Sequence, residues 1–399
     1  MTTAHDTVAT LLDDQRDDLV ALSHGVHADA EVGFEEHTSS ARVADTLSAA
    51  GFDVTHGTAG MDTAVVAEYG SGPLVIGVCA EYDALPGIGH ACGHNVIAAA
   101  GVGAALALAA VADDVGITVR LLGTPAEEGG GGKILMLDAG SFDGLHAAMM
   151  VHPSPLESAA FGCLAVTHVD VRYHGKSSHA SAFPELGRNA ADALTMAQVG
   201  IGLLRQHITK GDRIHGIVTD GGDAPNIVPE RTGGTWYVRA ETLDELRTLY
   251  PRVRACFEAG ALATGTELEI ADPPPAYSEM AHDQELTDLY QGHAEALGRD
   301  FPDLSAIADS VRGSTDMANV SLELPSIHPM IAIQSDGAVN HQPEFTAACA
   351  MPSADAAVYD GALAMARTAV SAALDAGVRQ RLLASGGYDS SGYEVPHVG

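Results

Sequence analysis

The chain has 399 residues, 46% of them hydrophobic and 18% charged, which suggests a substantial core and either two domains or one large domain with an insertion. Its formal charge of −33 argues against nucleic acid and anionic membrane surfaces as partners, because both would repel it. GC-rich codon bias and adaptation to high salt both account for that charge, and neither bears on the reaction. The five cysteines (79, 92, 163, 256 and 349) show no framework spacing, and the N-terminus has neither a basic nor an apolar signal region. Both points favour a reducing, cytoplasmic setting.

Residues 5–23 and 37–50 have the spacing of amphipathic helices, the second ended by Gly51. Residues 64–69 and 74–79 read as strands, the second running into an EYDALPG turn. The uncharged Ala- and Gly-rich stretch 96–112 is slightly short and too weakly apolar for a membrane span, so a buried helix with small faces is expected. Residues 117–122 form a strand ending at PAEEGGGGK, and 147–151 another ending at His152.

The pattern changes near residue 165. Strand 166–173, helix 188–206, strands 214–219 and 233–239, helix 243–264 and strand 267–270 give the order βαββαβ, the signature of a ferredoxin-like unit. The proline run at 273–275 marks its exit. One catalytic domain, 1–165 and 278–399, split by an insertion at 166–277, is the economical organisation. The terminal SGGYDSSGYEVPHVG stretch reads as a loose tail.

Five dispersed residues, Cys92, His94, Glu128, His152 and His341, lie in short stretches rich in Gly, Pro or His. A thiol, three imidazoles and a carboxylate suit Zn²⁺, Mn²⁺, Co²⁺ or Ni²⁺, and the set could bind two such ions. Taken singly, Cys92 is as readily a buried core thiol, and His152 or His341 a structural histidine. The signal is the set, whose members follow strands or lie at strand–helix junctions, where open α/β sheets build sites. Glu127 and Glu128 are neighbours in a glycine-rich turn, so one can bind metal while the other serves as a base.

The stretches EYDALPGIGHACGHN, PAEEGGGGK, GKSSHAS, NIVPE, GSTDM and NHQPEF together resemble the di-metal aminoacylase/carboxypeptidase metallopeptidase superfamily. The nearest branch is the amidohydrolases that include hippurate hydrolase, indole-acetyl-amino-acid hydrolase, aminobenzoyl-glutamate hydrolase and β-alanyl dipeptidase-like proteins. The likeness runs from about residue 20 to 370. It implies an α/β fold: a di-metal exopeptidase-like catalytic domain with a mixed central sheet flanked by helices, plus an inserted ferredoxin-like lid that also dimerises. It implies Cys92, His94, Glu128, His152 and His341 as ligands of two divalent ions per subunit, Glu127 as catalytic base and Asp83 as support for the metal shell. It further implies His179 as a lid histidine that stabilises the oxyanion in a partner subunit, and Asn226 and Arg239 as binders of the substrate carboxylate. Ser314, Thr315 and Asp316 match a loop lining the substrate site.

The chain departs from that pattern twice. Asn95 stands where many members of the branch have Asp, which favours the aminobenzoyl-glutamate and β-alanyl dipeptide subgroup. Glu81 stands where other superfamily members have a metal-site His. Which ligand bridges the ions stays open. Lys133, one of three lysines, either helps hold substrate or completes the glycine-rich turn, and His90, His174 and His328 read as structural.

The expected reaction is metal-assisted hydrolysis of the amide of an N-acyl amino acid or small dipeptide. Glu127 takes the water proton and returns it to the leaving nitrogen. Arg239 suits a carboxylate as a bidentate partner, or equally is a strand cation among many acids. A catalytically silent binding protein on this fold, and a hydrolase of esters or carbamoyl groups, remain as alternatives.

Overall fold

The computed structural model describes residues 3–305 and 312–398. Its strands, in chain order, are β1 (Asp53–Thr58), β2 (Met61–Gly70), β3 (Leu74–Glu81), β4 (Ile117–Thr124), β5 (Ala147–Met149), β6 (His152–Ser154), β7 (Ala165–His174), β8 (Arg213–Asp220), β9 (Arg231–Ala240), β10 (Glu267–Ile270), β11 (Ser326–Ile327) and β12 (Met330–Ala332). The described residues divide into two compact units, 3–162 with 280–305 and 312–395, and 163–279 with 396–398.

The first unit is built on a six-stranded mixed sheet of order β1-β2-β4-β3-β5-β11. β3 runs parallel to β4 and β5, and β2 antiparallel to β4. Both faces of β3 and β4 are buried, as their near-continuous apolar runs require. Ile76, Val78, Val119 and Leu121 face one core, and Cys79 and Leu122 the other. The first core is closed by helices Ala4–Asp29, His94–Ala109 and Pro352–Leu374, which pack on one another. Every residue from His94 to Leu108 is buried, so this helix is apolar all round because it is enclosed by protein. A Cβ on Gly101 would lie 3.1 Å from the Cys79 carbonyl oxygen, so the small face is what lets the helix lie against β3. No helix among the described residues is long and apolar enough to cross a membrane.

The second unit is a four-stranded antiparallel sheet of order β10-β7-β9-β8, interleaved with helices Ala190–Leu204 and Leu243–Thr264. This is a ferredoxin-like βαββαβ arrangement. β7 alternates as a half-covered strand should: Val169, Val171 and Tyr173 enter the core, while Asp170 and Arg172 are exposed. The two helices start at side-chain caps, Asn189 accepting from the Ala191 N–H and Thr242 from the Glu245 N–H. Such caps stabilise a helix by about 1 kcal/mol each.

Three local expectations need correction. The strand β1 carries no apolar alternation, its burial pattern being almost wholly exposed, and periodicity does not reveal it. The long helix starts at His94, not near 96, because Gly93 caps it in the left-handed region at φ 75°. The C-terminal stretch is not loose. Tyr388 is buried and exchanges backbone hydrogen bonds with Gly144 and Leu145, both at 2.8 Å. In the second unit Val398 is buried and the Pro396 carbonyl accepts from Ala276. Its polar, glycine-rich composition hides two anchoring apolar side chains.

Candidate metal centre

Parallel β3 and β4 end side by side, with Glu81 paired to Thr124, and the site grows from the segments that leave them. After β4 the chain turns sharply at Ala126, whose φ is +54°. Fully buried Glu36 holds this strained residue through a 2.8 Å hydrogen bond from the Ala126 N–H. Glu127 and Glu128 follow, and the Glu128 N–H donates to Asp83 Oδ2 at 3.0 Å. The turn closes on Gly132, where a Cβ would stand 1.9 Å from the Pro125 carbonyl oxygen. After β3, Gly93 is equally constrained, with Pro153 and Cys349 occupying the space of a side chain.

The five dispersed residues come together. One ligand atom each from Cys92, His94 and His152 lies within 4.8 Å of the others, and the same holds for Cys92, Glu128 and His341. Cys92 belongs to both groups. His341 sits at φ +70° in its loop, and its N–H donates to the Ala91 carbonyl at 3.0 Å, which ties the distant segment to the Cys92 turn. His152 does not merely follow a strand; it opens β6, which pairs in parallel with β12.

The local electrostatics favour a cation. His94 Nδ1 bonds Asp83 Oδ1 at 3.0 Å; a carboxylate only accepts, so Nδ1 carries a proton, and Nε2 would offer its lone pair to a cation that displaces the proton there. Burial opposes charge on His94, but Asp83, Glu81 and Glu128 outweigh it and raise its pKa well above the usual value. His152 is held neutral by burial, its pKa pushed down to about 4, and its Nδ1–H bonds the Pro153 carbonyl at 2.8 Å. Burial, then Glu128, lifts the Cys92 thiol well above its ordinary range, so a thiolate here needs a cation beside it. Glu127 is likewise raised, first by burial and then by Glu81 and Glu128.

A buried polar cluster lies under these groups. Lys133 Nζ bonds Glu81 Oε1 at 2.5 Å and Asp316 Oδ1 at 2.8 Å, and the Lys133 N–H donates to Asp316 Oδ2 at 2.8 Å. Lys133 is therefore neither a substrate contact nor only a turn residue. Asp316 is fully buried, and both its oxygens accept from Lys133. Thr315 is buried with its hydroxyl accepting from the Met317 N–H, and Ser314 is half-buried. Asn95 donates from Nδ2 to Ser23 Oγ and the Cys349 carbonyl, both at 2.9 Å; an Asp would meet those acceptors without a proton. His328 is buried edge-on to His152, ring centroids 5.5 Å apart. Glu36 carried no sequence signal, and only the scarcity of lysine pointed to Lys133.

His179, Asn226 and Arg239 belong to the second unit. His179 is exposed, its Nδ1 accepting from the Ser181 and Ala182 N–H groups, and it bridges to Ile227 beside the exposed Asn226. Arg239, on β9, reaches His215 Nε2 at 3.3 Å and lies over the Tyr237 ring.

Residues 77–370 match peptidase family M20/M25/M40. The chain is 37% identical to the Xaa-Arg dipeptidase of Mus musculus over 376 residues, covering 91% of this chain and 87% of that protein. It is 34% identical to a p-aminobenzoyl-glutamate hydrolase chain of Escherichia coli, over 60% of this chain and 54% of that protein. In fold it is similar to a dinuclear metal-binding M20 peptidase of Bacillus subtilis, with TM-score 0.66 and 20% identity over 90% of this chain and 98% of that one. With a family match over most of the chain and hydrolases among its similar relatives, the chain belongs to peptidase family M20/M25/M40 and is a metal-dependent amidohydrolase.

Proposed function

We propose that the protein cleaves the amide bond of a dipeptide or N-acyl amino acid with two divalent ions, one held by Cys92, His94 and His152, the other by Cys92, Glu128 and His341. Cys92 would serve both ions, since it belongs to both groups. The mixed sulfur, nitrogen and oxygen donors suit Zn²⁺ or Mn²⁺, with Co²⁺ or Ni²⁺ as substitutes. When bound, such ions polarise the scissile carbonyl and acidify water.

The observation that carries the reading is Glu127. Its carboxyl is buried with Oε2 3.7 Å from His94 Nε2, and its pKa is raised well above the usual range, first by burial. A carboxylate so placed accepts a proton readily from the attacking water and releases it to the leaving nitrogen. Asp83 fixes the His94 tautomer. His179 would stabilise the oxyanion in a partner subunit's site, and Asn226 and Arg239 would take the substrate carboxylate, with Ser314 and Thr315 near the substrate. Similarity to the Xaa-Arg dipeptidase favours a C-terminal residue with a cationic side chain, and the −33 charge would draw such a substrate in.

The test is a panel of Xaa-Arg dipeptides, aminobenzoyl-glutamate and N-acetyl amino acids assayed with Zn²⁺, Mn²⁺ and Co²⁺. The highest kcat/KM is expected on Xaa-Arg dipeptides. Turnover of esters alone, with every amide refused, would overturn the amide reading.

A homodimer through the second unit is part of the proposal. β8 is an edge strand exposing Ile217 and Val218, and helix Ala190–Leu204 exposes Met196, Val199 and Leu203. Ile217→Asp should shift the mass measured by light scattering from dimer to monomer. A cytoplasmic location is supported by five free thiols.

A further inference from the structure

Glu81 has no part in the proton transfers proposed for Glu127, yet it stands among the same groups. It is the last residue of β3 and is fully buried. Lys133 Nζ holds its Oε1 at 2.5 Å, while Oε2 is buried without a hydrogen-bond partner. That free oxygen lies 3.4 Å from His94 Nε2, which is also buried without a hydrogen-bond partner. His94 has committed Nδ1 to Asp83, so Nε2 is the nitrogen that faces Glu81.

A carboxylate oxygen and a ring nitrogen at this range call for positive charge between them, from a proton on Nε2 or from a bound cation. Glu127 adds a third donor, its Oε2 3.7 Å from the same nitrogen, and ligand atoms of Glu81, His94 and Glu127 all lie within 4.8 Å of one another. Nε2 is also the nitrogen that His94 has left for the group with Cys92 and His152. One cation on that nitrogen would face both groups. Lys133 spans two carboxylates, Glu81 and Asp316, so the three together carry one net negative charge when ionised, and the free oxygen of Glu81 points it toward His94.

We propose that Glu81 is a further metal ligand: its Oε2 completes the coordination of the ion bound by Cys92, His94 and His152. Lys133 occupies the other oxygen, so the carboxylate binds through one atom, and the donor set reaches the four that divalent zinc favours. This rests on reading Cys92, His94 and His152 as ligands.

The test loads the full-length protein with Zn²⁺, dialyses it against graded chelator and counts retained metal by mass spectrometry. Glu81→Gln should release one of two ions at a chelator concentration at least about tenfold below that for the wild type. Glu81→Asp keeps the charge that Lys133 needs but is one methylene shorter, and should release the same ion early even if the Gln variant folds poorly. In Co²⁺-loaded protein both variants should alter the visible ligand-field bands and keep the thiolate-to-cobalt charge-transfer band of Cys92. Glu127→Gln should retain metal as the wild type does. Release curves of both Glu81 variants that overlay the wild type overturn the proposal, and so does equally early release from Glu127→Gln, which would make the effect one of nearby charge. Cys92→Ala that still holds both ions would instead overturn the metal-site reading itself.

Discussion

In the first unit most polar side chains around the candidate metal centre are buried and hold one another, His341 being exposed. Asp83 grips His94 and the Glu128 N–H, Glu36 grips Ala126, and Lys133 joins Glu81 to Asp316. In the second unit His179 and Asn226 are exposed, and His179 is engaged by neighbours two and three residues along its own loop. The first arrangement is preorganised by its fold and couples function to stability, since each group is both part of the site and part of the core. The second leaves its side chains free to be spent on a ligand, at little cost to folding.

The sharpest way to break that contrast is at Glu127. Glu127→Gln should lower kcat by about 10²–10⁴-fold while metal content and thermal midpoint stay near wild type; unchanged turnover would remove Glu127 from the mechanism. The Lys133→Met variant should lose about 3–5 kcal/mol in urea unfolding, because two buried carboxylates would be left without their cation. A loss near zero would mean that the cluster is not the support it looks to be. His179→Ala should cost less than about 0.5 kcal/mol in the same assay and yet lower kcat by about 10²-fold. If it destabilises as much as Lys133→Met, the two units do not differ in the way described. Mixing His179→Ala with Glu127→Gln subunits should restore some turnover if the histidine serves a partner's site, and no recovery would argue against sharing.

Much of this protein was legible because its signals are local. The helices at 4–29, 37–49 and 243–264 and the strands β2, β3, β4 and β7 to β10 follow from apolar spacing and turn residues. β1 was not legible, since its sequence DVTHGT holds a single apolar residue, Val54, and no alternation. The anchoring of Tyr388 was not legible either, because one buried aromatic in a polar stretch makes no pattern.

For the site, residue type and motif alone nominated Cys92, His94, Glu127, Glu128, His152 and His341, because metal and proton chemistry admit few side chains. Tertiary structure decided what such chemistry does not encode. It placed Cys92 in both candidate ligand groups, joined Lys133 and Asp316 to Glu81 in a buried ion cluster, and left one oxygen of Glu81 facing His94. Those outcomes depend on how β3, β4 and the segments after them approach in space. A buried charge is settled by its partners, and partners 52 and 183 residues apart in the chain are neighbours only once the sheet has formed.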